Sequence, residues 1–454
     1  MDMQGRRVTV IGLARSGLAA ARWLLDHGAE VTVTEAQDTA ATRQMAHQLH
    51  LYAALSHRLT VELGAHTRTS VAGRDFIVIS PGVPETAPVL CWAVEAGVPV
   101  LSEVELASRA CPGPIVAVTG TNGKTTVTTL IGQLLRAAGR PVEVCGNIGR
   151  PFCDVVDRVR AGTVVVLEIS SFQLLHCPTL RPHVAVLLNL SENHLDRHPT
   201  LAAYAEAKSR LFANQTSEDW AILNAGDAQV QRLAARVRGR LLWFQAPSTE
   251  TGEDGNPNEE AAACAARLFH IPEPVIQKTL RAFRGLEHRL EPVTTVQGVA
   301  FINDSKSTTP ASLLWALARL RAPLVLIMGG RNKGCDFAPV REALRRSTVT
   351  RIILIGESRA PLRGILQDIV PMDEALGLPE AVRRAFQAAQ PGGTVLLSPA
   401  CASLDMFSDY EDRGRQFKAA VELLARDKNN PELFSATPPM EKSSGLFLRR
   451  ADAS

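Results

Sequence analysis

A chain of 454 residues has room for about three domains. With 46% hydrophobic and 21% charged residues it is ordinary globular material, and a formal net charge of +3 is too small to argue for a nucleic-acid surface. Apolar runs are strand-sized, as at 323–328, the eight cysteines include no C-x-x-C pair, and a strand pattern begins at Arg7, so a membrane span, a disulfide framework and a signal peptide are not expected, and a cytoplasmic address is.

The first segment reads as a Rossmann-like unit. Residues 6–12 form a strand, GLARSG (12–17) a turn, and 18–27 a helix closed by Gly28; a second strand at 30–34 ends in Glu35. This approaches a dinucleotide fingerprint with Ala14 in place of the middle glycine, which fits NAD or any ligand whose pyrophosphate sits on a helix N-terminus. The simpler alternative is a glycine turn that packs helix on strand. A later strand, 75–79, runs into Ser80, Pro81 and Gly82, at the strand end where open α/β sheets bind ligands, although a plain tight turn would look the same.

A proline-glycine linker at 111–114 leads to the most informative stretch, PIVAVTGTNGKTT (114–126). An apolar run feeds a glycine turn, and the turn feeds apolar residues at Val127, Leu130, Ile131, Leu134, Leu135 and Ala138, which have helical spacing. Strand, glycine loop and helix N-terminus make a phosphate cradle: Gly120, Thr121, Asn122, Gly123, Lys124, Thr125 and Thr126. Lys124 can reach the β/γ-phosphates and the Thr125 hydroxyl can ligate Mg²⁺. Val118 stands where the usual Walker pattern has glycine, so the loop is shortened. A nucleoside triphosphate site is expected.

A second glycine turn follows at 145–149, and the continuously apolar run 163–167 reads as a central parallel strand ending in Glu168. A carboxylate there, beside a phosphate loop, suits a Mg²⁺ ligand, with a helix-cap acid as the alternative. A strand at 183–189 leads to His194, Asp196, Arg197 and His198, a cluster open to metal, phosphate or acid–base roles, or simply to solvent. The helix at 201–213 carries Lys208, which most helices would present to water; desolvated and neutral, its amine could instead capture carbon dioxide as a carbamate. The polar stretch 247–258 reads as a surface loop, and Asn258 opens an alanine-rich helix. From about Glu291 a new α/β region places glycine, hydroxyl and charged residues after strands at 299–302, 324–328, 351–355 and 394–398, one functional face of a doubly wound sheet. Beyond Asn429 a loose tail is expected.

Ten motifs in order, GLARSG, ISPGVP, GTNGKTT, GNIG, EISSFQL, ENHLDRHP, GLEHRLE, NDSKST, GGRNKG and LSPACASLDMFSDYEDRG, carry a resemblance to the Mur ligases, ATP-dependent amide-forming enzymes of peptidoglycan precursor synthesis. The first two and the last are most similar to the branch that adds D-glutamate to UDP-N-acetylmuramoyl-L-alanine. The fold implied is α/β in three domains: a Rossmann-like UDP-substrate domain at 1–110, a central P-loop ATPase-type parallel sheet at 111–289 and a C-terminal Rossmann-like, doubly wound amino-acid domain at 290–430, with a tail at 431–454. No nucleic-acid partner and a monomer are expected.

The resemblance implies that residues 120–126 hold ATP, with Lys124, Glu168, His194 and Lys208 forming the catalytic set. Two Mg²⁺ ions would be held by Thr125, Glu168, His194 and carbamylated Lys208. Arg15, Ser16, Glu35, Ser80, Pro81 and Gly82 would contact the UDP end, and Asn147, Ser170 and His194 the muramoyl-alanine arm. Asn258, Arg289 and Asp304 would frame the nucleotide, and Lys306, Thr308, Lys333, Ser403, Leu404 and Tyr410 would receive D-glutamate. No residue stands out as base for the incoming amine. One departure is the shortened stretch at 251–258, where the family carries a longer segment framing the adenine. Alternatives are a sibling or folylpolyglutamate-type ligase, or a nucleotide-binding homologue without turnover.

Overall fold

The computed structural model describes residues 2–53, 57–191, 197–245, 256–283, 285–320, 322–332 and 334–426. The chain folds as two compact units, Met1–Phe283 and Arg284–Ser454. It contains three α/β domains, each built on its own sheet, two in the first unit and one in the second. Among the described residues no helix is long and apolar enough to cross a membrane.

The first sheet is wholly parallel: β1 (Arg7–Ile11), β2 (Glu30–Glu35), β3 (Leu59–Leu63), β4 (Phe76–Ile79) and β5 (Val100–Ser102) lie in the order β3-β2-β1-β4-β5. Chain direction across the sheet reverses between β1 and β4. A crevice opens at such a switch point because the flanking connections leave on opposite faces. The turn after β1 and the turn after β4 are therefore neighbours.

The second sheet comprises β6 (Ile115–Thr119), β7 (Val142–Gly146), β8 (Val164–Glu168), β9 (Val184–Leu187), β10 (Trp220–Asn224) and β11 (Arg240–Phe244), all parallel, in the order β11-β10-β9-β6-β8-β7. Its strands β6, β8 and β9 are fully buried, which is why they read as unbroken apolar runs rather than alternating ones. Register sets Val118 of β6 beside Glu168 of β8, so the carboxylate emerges level with the phosphate loop.

In the second unit β12 (Glu291–Val296), β13 (Val299–Asn303), β14 (Leu324–Gly329), β15 (Val349–Ile355), β16 (Met372–Glu374) and β17 (Thr394–Leu397) lie in the order β12-β13-β17-β14-β15-β16. β12 and β13 form an antiparallel hairpin over Gln297 and Gly298, both at positive φ, as a type I′ turn requires; the other pairs are parallel. The 17-residue helix Tyr410–Arg426 closes this domain through Phe417, Val421 and Leu424.

Candidate active site

The phosphate loop occupies the end of β6. Gly123 is left-handed at φ +83° and caps the helix Lys124–Ala137 without a side chain, which leaves the first-turn N–H groups for an anion. The loop is pinned from β9's side: Asn122 N–H donates to Asn189 Oδ1 at 2.8 Å, and Asn189 Nδ2 returns a bond to Asn122 O at 3.1 Å. Lys124 Nζ folds over the loop and donates to the carbonyls of Gly120 and Thr121, each at 2.9 Å. Thr125 and Thr126 stand in the first helical turn. Asn258 packs directly on the loop, since a Cβ built on Gly123 would lie 2.3 Å from Asn258 Oδ1. The shortened segment before it lies largely outside the described residues.

Next to the loop stand Glu168 and Lys208. Glu168 is 2% exposed; its Oε1 accepts a 2.8 Å bond from Asn147 Nδ2, and its Oε2 is buried without a hydrogen-bond partner. Such an oxygen suits a cation, because an unpaired buried carboxylate is otherwise costly. Lys208 is 1% exposed and donates to Thr119 Oγ1 at 3.2 Å and Gly120 O at 3.1 Å. Burial, and then the charge of Lys124, push its pKa well below the usual lysine value, against the pull of Glu168. Both effects favour the neutral amine over the ammonium. Among the described residues no group of three or more His, Cys, Asp or Glu gathers. The expected Mg²⁺ set is of another kind, a threonine, one carboxylate and a lysine, and His194 lies outside the described residues. So does Asp196.

At the first domain's switch point, Ser80 Oγ donates to Gly12 O at 2.9 Å, so the two turns lock together. Gly17 sits against Gly12, where any side chain would strike the Gly12 carbonyl. Glu35, expected to contact the UDP end, accepts the Leu13 N–H at 2.9 Å and the Gln37 N–H at 3.0 Å and so organises the turn after β1. Arg15 is exposed and donates to Gly149 O, Ser16 is half-buried on the same helix, and Pro81 and Gly82 reach the surface. Ser170 caps the helix Ser171–Leu175 in a reciprocal capping box with Gln173.

The second unit gathers its own set at the ends of β13 and β17. Asp304 is 1% exposed and accepts from Ser307 Oγ, from Ser398 Oγ at 2.8 Å and from Leu290 N–H at 3.1 Å; burial raises its pKa. Its oxygens already have partners within the domain. Lys306 Nζ lies 5.8 Å from the Tyr410 ring centroid, Thr308 is half-buried, Ser403 is buried, and Leu404 is 57% exposed. Arg289 and Arg319 flank the Trp315 ring at 5.2 and 3.7 Å from its centroid. Lys333 lies outside the described residues, but its neighbours Arg331 and Asn332 are anchored, Arg331 on Glu357 at 2.8 Å and Asn332 N–H on Ser358 Oγ at 3.1 Å.

Arg413 escaped the sequence reading. It is wholly buried and donates to Ser305 Oγ, Cys401 O and Ser305 O at 3.0, 3.1 and 2.8 Å, with burial pushing its pKa down to about 10. The available signal was its phase: Arg413, Phe417, Ala420, Val421 and Leu424 share one helix face.

Residues 6–102 match the family described as Mur ligase MurD-like, N-terminal domain; 118–261 match Mur ligase middle domain; and 288–401 match Mur ligase, glutamate ligase domain. A UDP-N-acetylmuramoylalanine--D-glutamate ligase of Desulfosudis oleivorans is 39% identical, covering 93% of this chain and 98% of that protein. One of Anaeromyxobacter dehalogenans is 41% identical, covering 94% and 99%. Among solved structures, the UDP-N-acetylmuramate-alanine ligase MurC of Thermotoga maritima superposes with a TM-score of 0.56 at 16% identity, covering 93% of this chain and all of that one, a likeness of fold.

Proposed function

We propose, on the premise that this chain belongs to the Mur ligase family, that it joins D-glutamate to UDP-N-acetylmuramoyl-L-alanine in ATP-dependent peptidoglycan precursor synthesis. A carboxylate resists attack by an amine because oxide is its leaving group. Transfer of the γ-phosphoryl group to the alanyl carboxylate gives an acyl phosphate. The amine of D-glutamate then adds, and the tetrahedral intermediate collapses to amide and phosphate, with ADP left behind.

The protein's share of this work is placement and charge. Lys124 exchanges the loop carbonyls for the β/γ-phosphates, while the N–H groups of residues 120–126 hold the triphosphate. Asn258, Arg289 and Asp304 frame the nucleotide. The paired turns and the residues beside them, Arg15, Ser16, Glu35, Ser80, Pro81 and Gly82, hold the UDP end, and Asn147, Ser170 and His194 the arm that presents the carboxylate. Lys306, Thr308, Lys333, Ser403, Leu404 and Tyr410 receive D-glutamate. Mg²⁺, held as two ions by Thr125, Glu168, His194 and Lys208 as its carbamate, supplies the positive charge that offsets the gathered anions. The domains divide at 110/111 and 289/290, and the enzyme works as a cytoplasmic monomer.

The observation that carries this reading is Lys208. A lysine 1% exposed at the root of a phosphate loop, its ammonium form disfavoured by burial, supports a role in carbon dioxide capture there. Phosphate release from ATP should require both UDP-N-acetylmuramoyl-L-alanine and D-glutamate, with L-glutamate and L-lysine inactive. Release with another amino acid would move the chain to a sibling specificity, and silence with all three would sink the enzymatic reading.

A further inference from the structure

The loop after β9 ends in Arg197 and His198, which have no part in the reaction above. Arg197 reaches out of the central domain: its Nη2 donates to Val83 O at 2.8 Å. Val83 belongs to the turn after β4, its N–H returning to Ser80 O at 3.1 Å, and Ser80 Oγ in turn holds Gly12 O. The guanidinium therefore grips the turn after β4, and Ser80 ties that turn to the one after β1. Its Cζ rests 4.4 Å from the Phe172 ring centroid. His198, 4% exposed, stacks on Phe172 at 5.2 Å, bonds Ser171 Oγ at 2.9 Å and lies 5.1 Å from Tyr204, whose ring centre is 4.5 Å from Lys208 Nζ. Packed groups thus run without a break from the turn to Lys208. Glu85, paired with His176 at 3.1 Å, lies on the same seam. Its carboxyl stays below the usual range although partial desolvation pulls the other way, through His176 and the charges of Arg197 and His198. Arg197 Nε is buried and makes no hydrogen bond. An unpaired buried donor is costly, so this side chain is held by its neighbours, not by its own preference.

We infer that Arg197 is a positioning residue for the nucleotide sugar: it fixes the turn at 80–84 against the central domain and so sets the span between the UDP end and the reacting carboxylate. The inference rests on the ligase reading above. A ligand held at two ends tolerates little error in that span, because small misplacements of the reacting atom are expensive.

The test compares wild type, Arg197→Met and Arg197→Lys for both Michaelis constants, for thermal midpoint and for calorimetric binding of UDP-N-acetylmuramoyl-L-alanine. Arg197→Met should raise the nucleotide-sugar KM about tenfold with the ATP KM within about twofold, and Arg197→Lys, which keeps a cationic donor for Val83 O, should return it to within about threefold. An unchanged nucleotide-sugar KM, parallel rises in both constants, or a lysine variant no better than methionine would overturn the inference. If Arg197→Met does not fold, Phe172→Leu, which withdraws the ring beneath the guanidinium, must raise the same constant selectively, or the inference fails. A wild type that releases no phosphate sinks the ligase reading alone, since calorimetry still separates the variants.

Discussion

Lys208 Nζ donates to Thr119 Oγ1 at 3.2 Å from inside the central domain, and every structural instinct says a lysine should not be there. Burial holds its pKa well below the unfolded value. The unfolded chain therefore binds more protons between the two values, and this residue makes folding more favourable as pH rises towards the ordinary lysine range. At neutral pH it weakens the fold. Lys208→Met should raise the thermal midpoint by a few degrees while lowering turnover about 100-fold or more. Short carboxylates such as formate should restore part of the activity of Lys208→Ala. A methionine variant that melts below wild type would show that the amine is structural.

The phosphate loop gives a sharper steric prediction. Gly123 is at φ +83°, and an added Cβ would meet Asn258 Oδ1 at 2.3 Å. Gly123→Ala combines about 1–2 kcal/mol of left-handed strain with that clash. The ATP KM should rise at least about tenfold, and on an Asn258→Gly background, compared with Asn258→Gly alone, the same substitution should cost less, because only the left-handed strain remains. Equal ATP constants in Gly123→Ala and wild type would refute this account.

How far these features were legible differs by residue. The phosphate loop was plain because its chemistry is contiguous: strand, glycines and helix start follow one another in sequence. Glu168 was legible as the polar end of an apolar strand, although only the sheet order shows it level with the loop. Lys208 could be read two ways, since helical spacing puts it on the same face as Tyr204 and Leu211 but a lysine snorkels by default. Asp304 and Ser170 expose the limit of such reading. Their present partners, Ser398 and Leu290 for one and Gln173 for the other, include contacts fixed by the fold, and motif spacing cannot report how many bonds an oxygen already makes. β12 was missed because half its residues face solvent and give no apolar run. The helix Tyr410–Arg426 was missed because charged residues crowd its first turns.

A second buried ionisable group lies outside the site. Glu103 is 1% exposed, accepts the Cys153 N–H at 2.5 Å through Oε1, and leaves Oε2 buried without a partner. Burial raises its pKa from 4.5 to about 7, partly offset by bonds from Cys153. Here the folded chain keeps a proton that the unfolded chain has lost, so stability falls as pH rises through that window, by up to about 3 kcal/mol. Glu103→Gln should flatten the decline in urea midpoint between pH 5 and 8 relative to wild type. Matching slopes in the two proteins would remove Glu103 from the pH response.

Arg413 supplies the last prediction, in the second unit. Its three donors bind Ser305 Oγ, Ser305 O and Cys401 O, and Ser305 Oγ passes its own proton to Tyr410 O at 2.7 Å. Ser305 adjoins Lys306, and Cys401 lies two residues before Ser403, so one buried guanidinium holds two of the segments assigned to D-glutamate. Arg413→Met leaves the Cys401 and Ser305 acceptors without this donor, a loss of about 3 kcal/mol by the usual cost of such groups. A loosened scaffold alone would lower the active fraction, and hence kcat, while leaving the Michaelis constants in place. A positioning role instead raises the D-glutamate KM about tenfold with the ATP KM within about twofold, measured on protein that is folded at the assay temperature. Arg413→Lys, with one cationic donor in place of three, should fall between wild type and Arg413→Met in D-glutamate KM. A fall in kcat with an unchanged D-glutamate KM would reduce Arg413 to a structural residue.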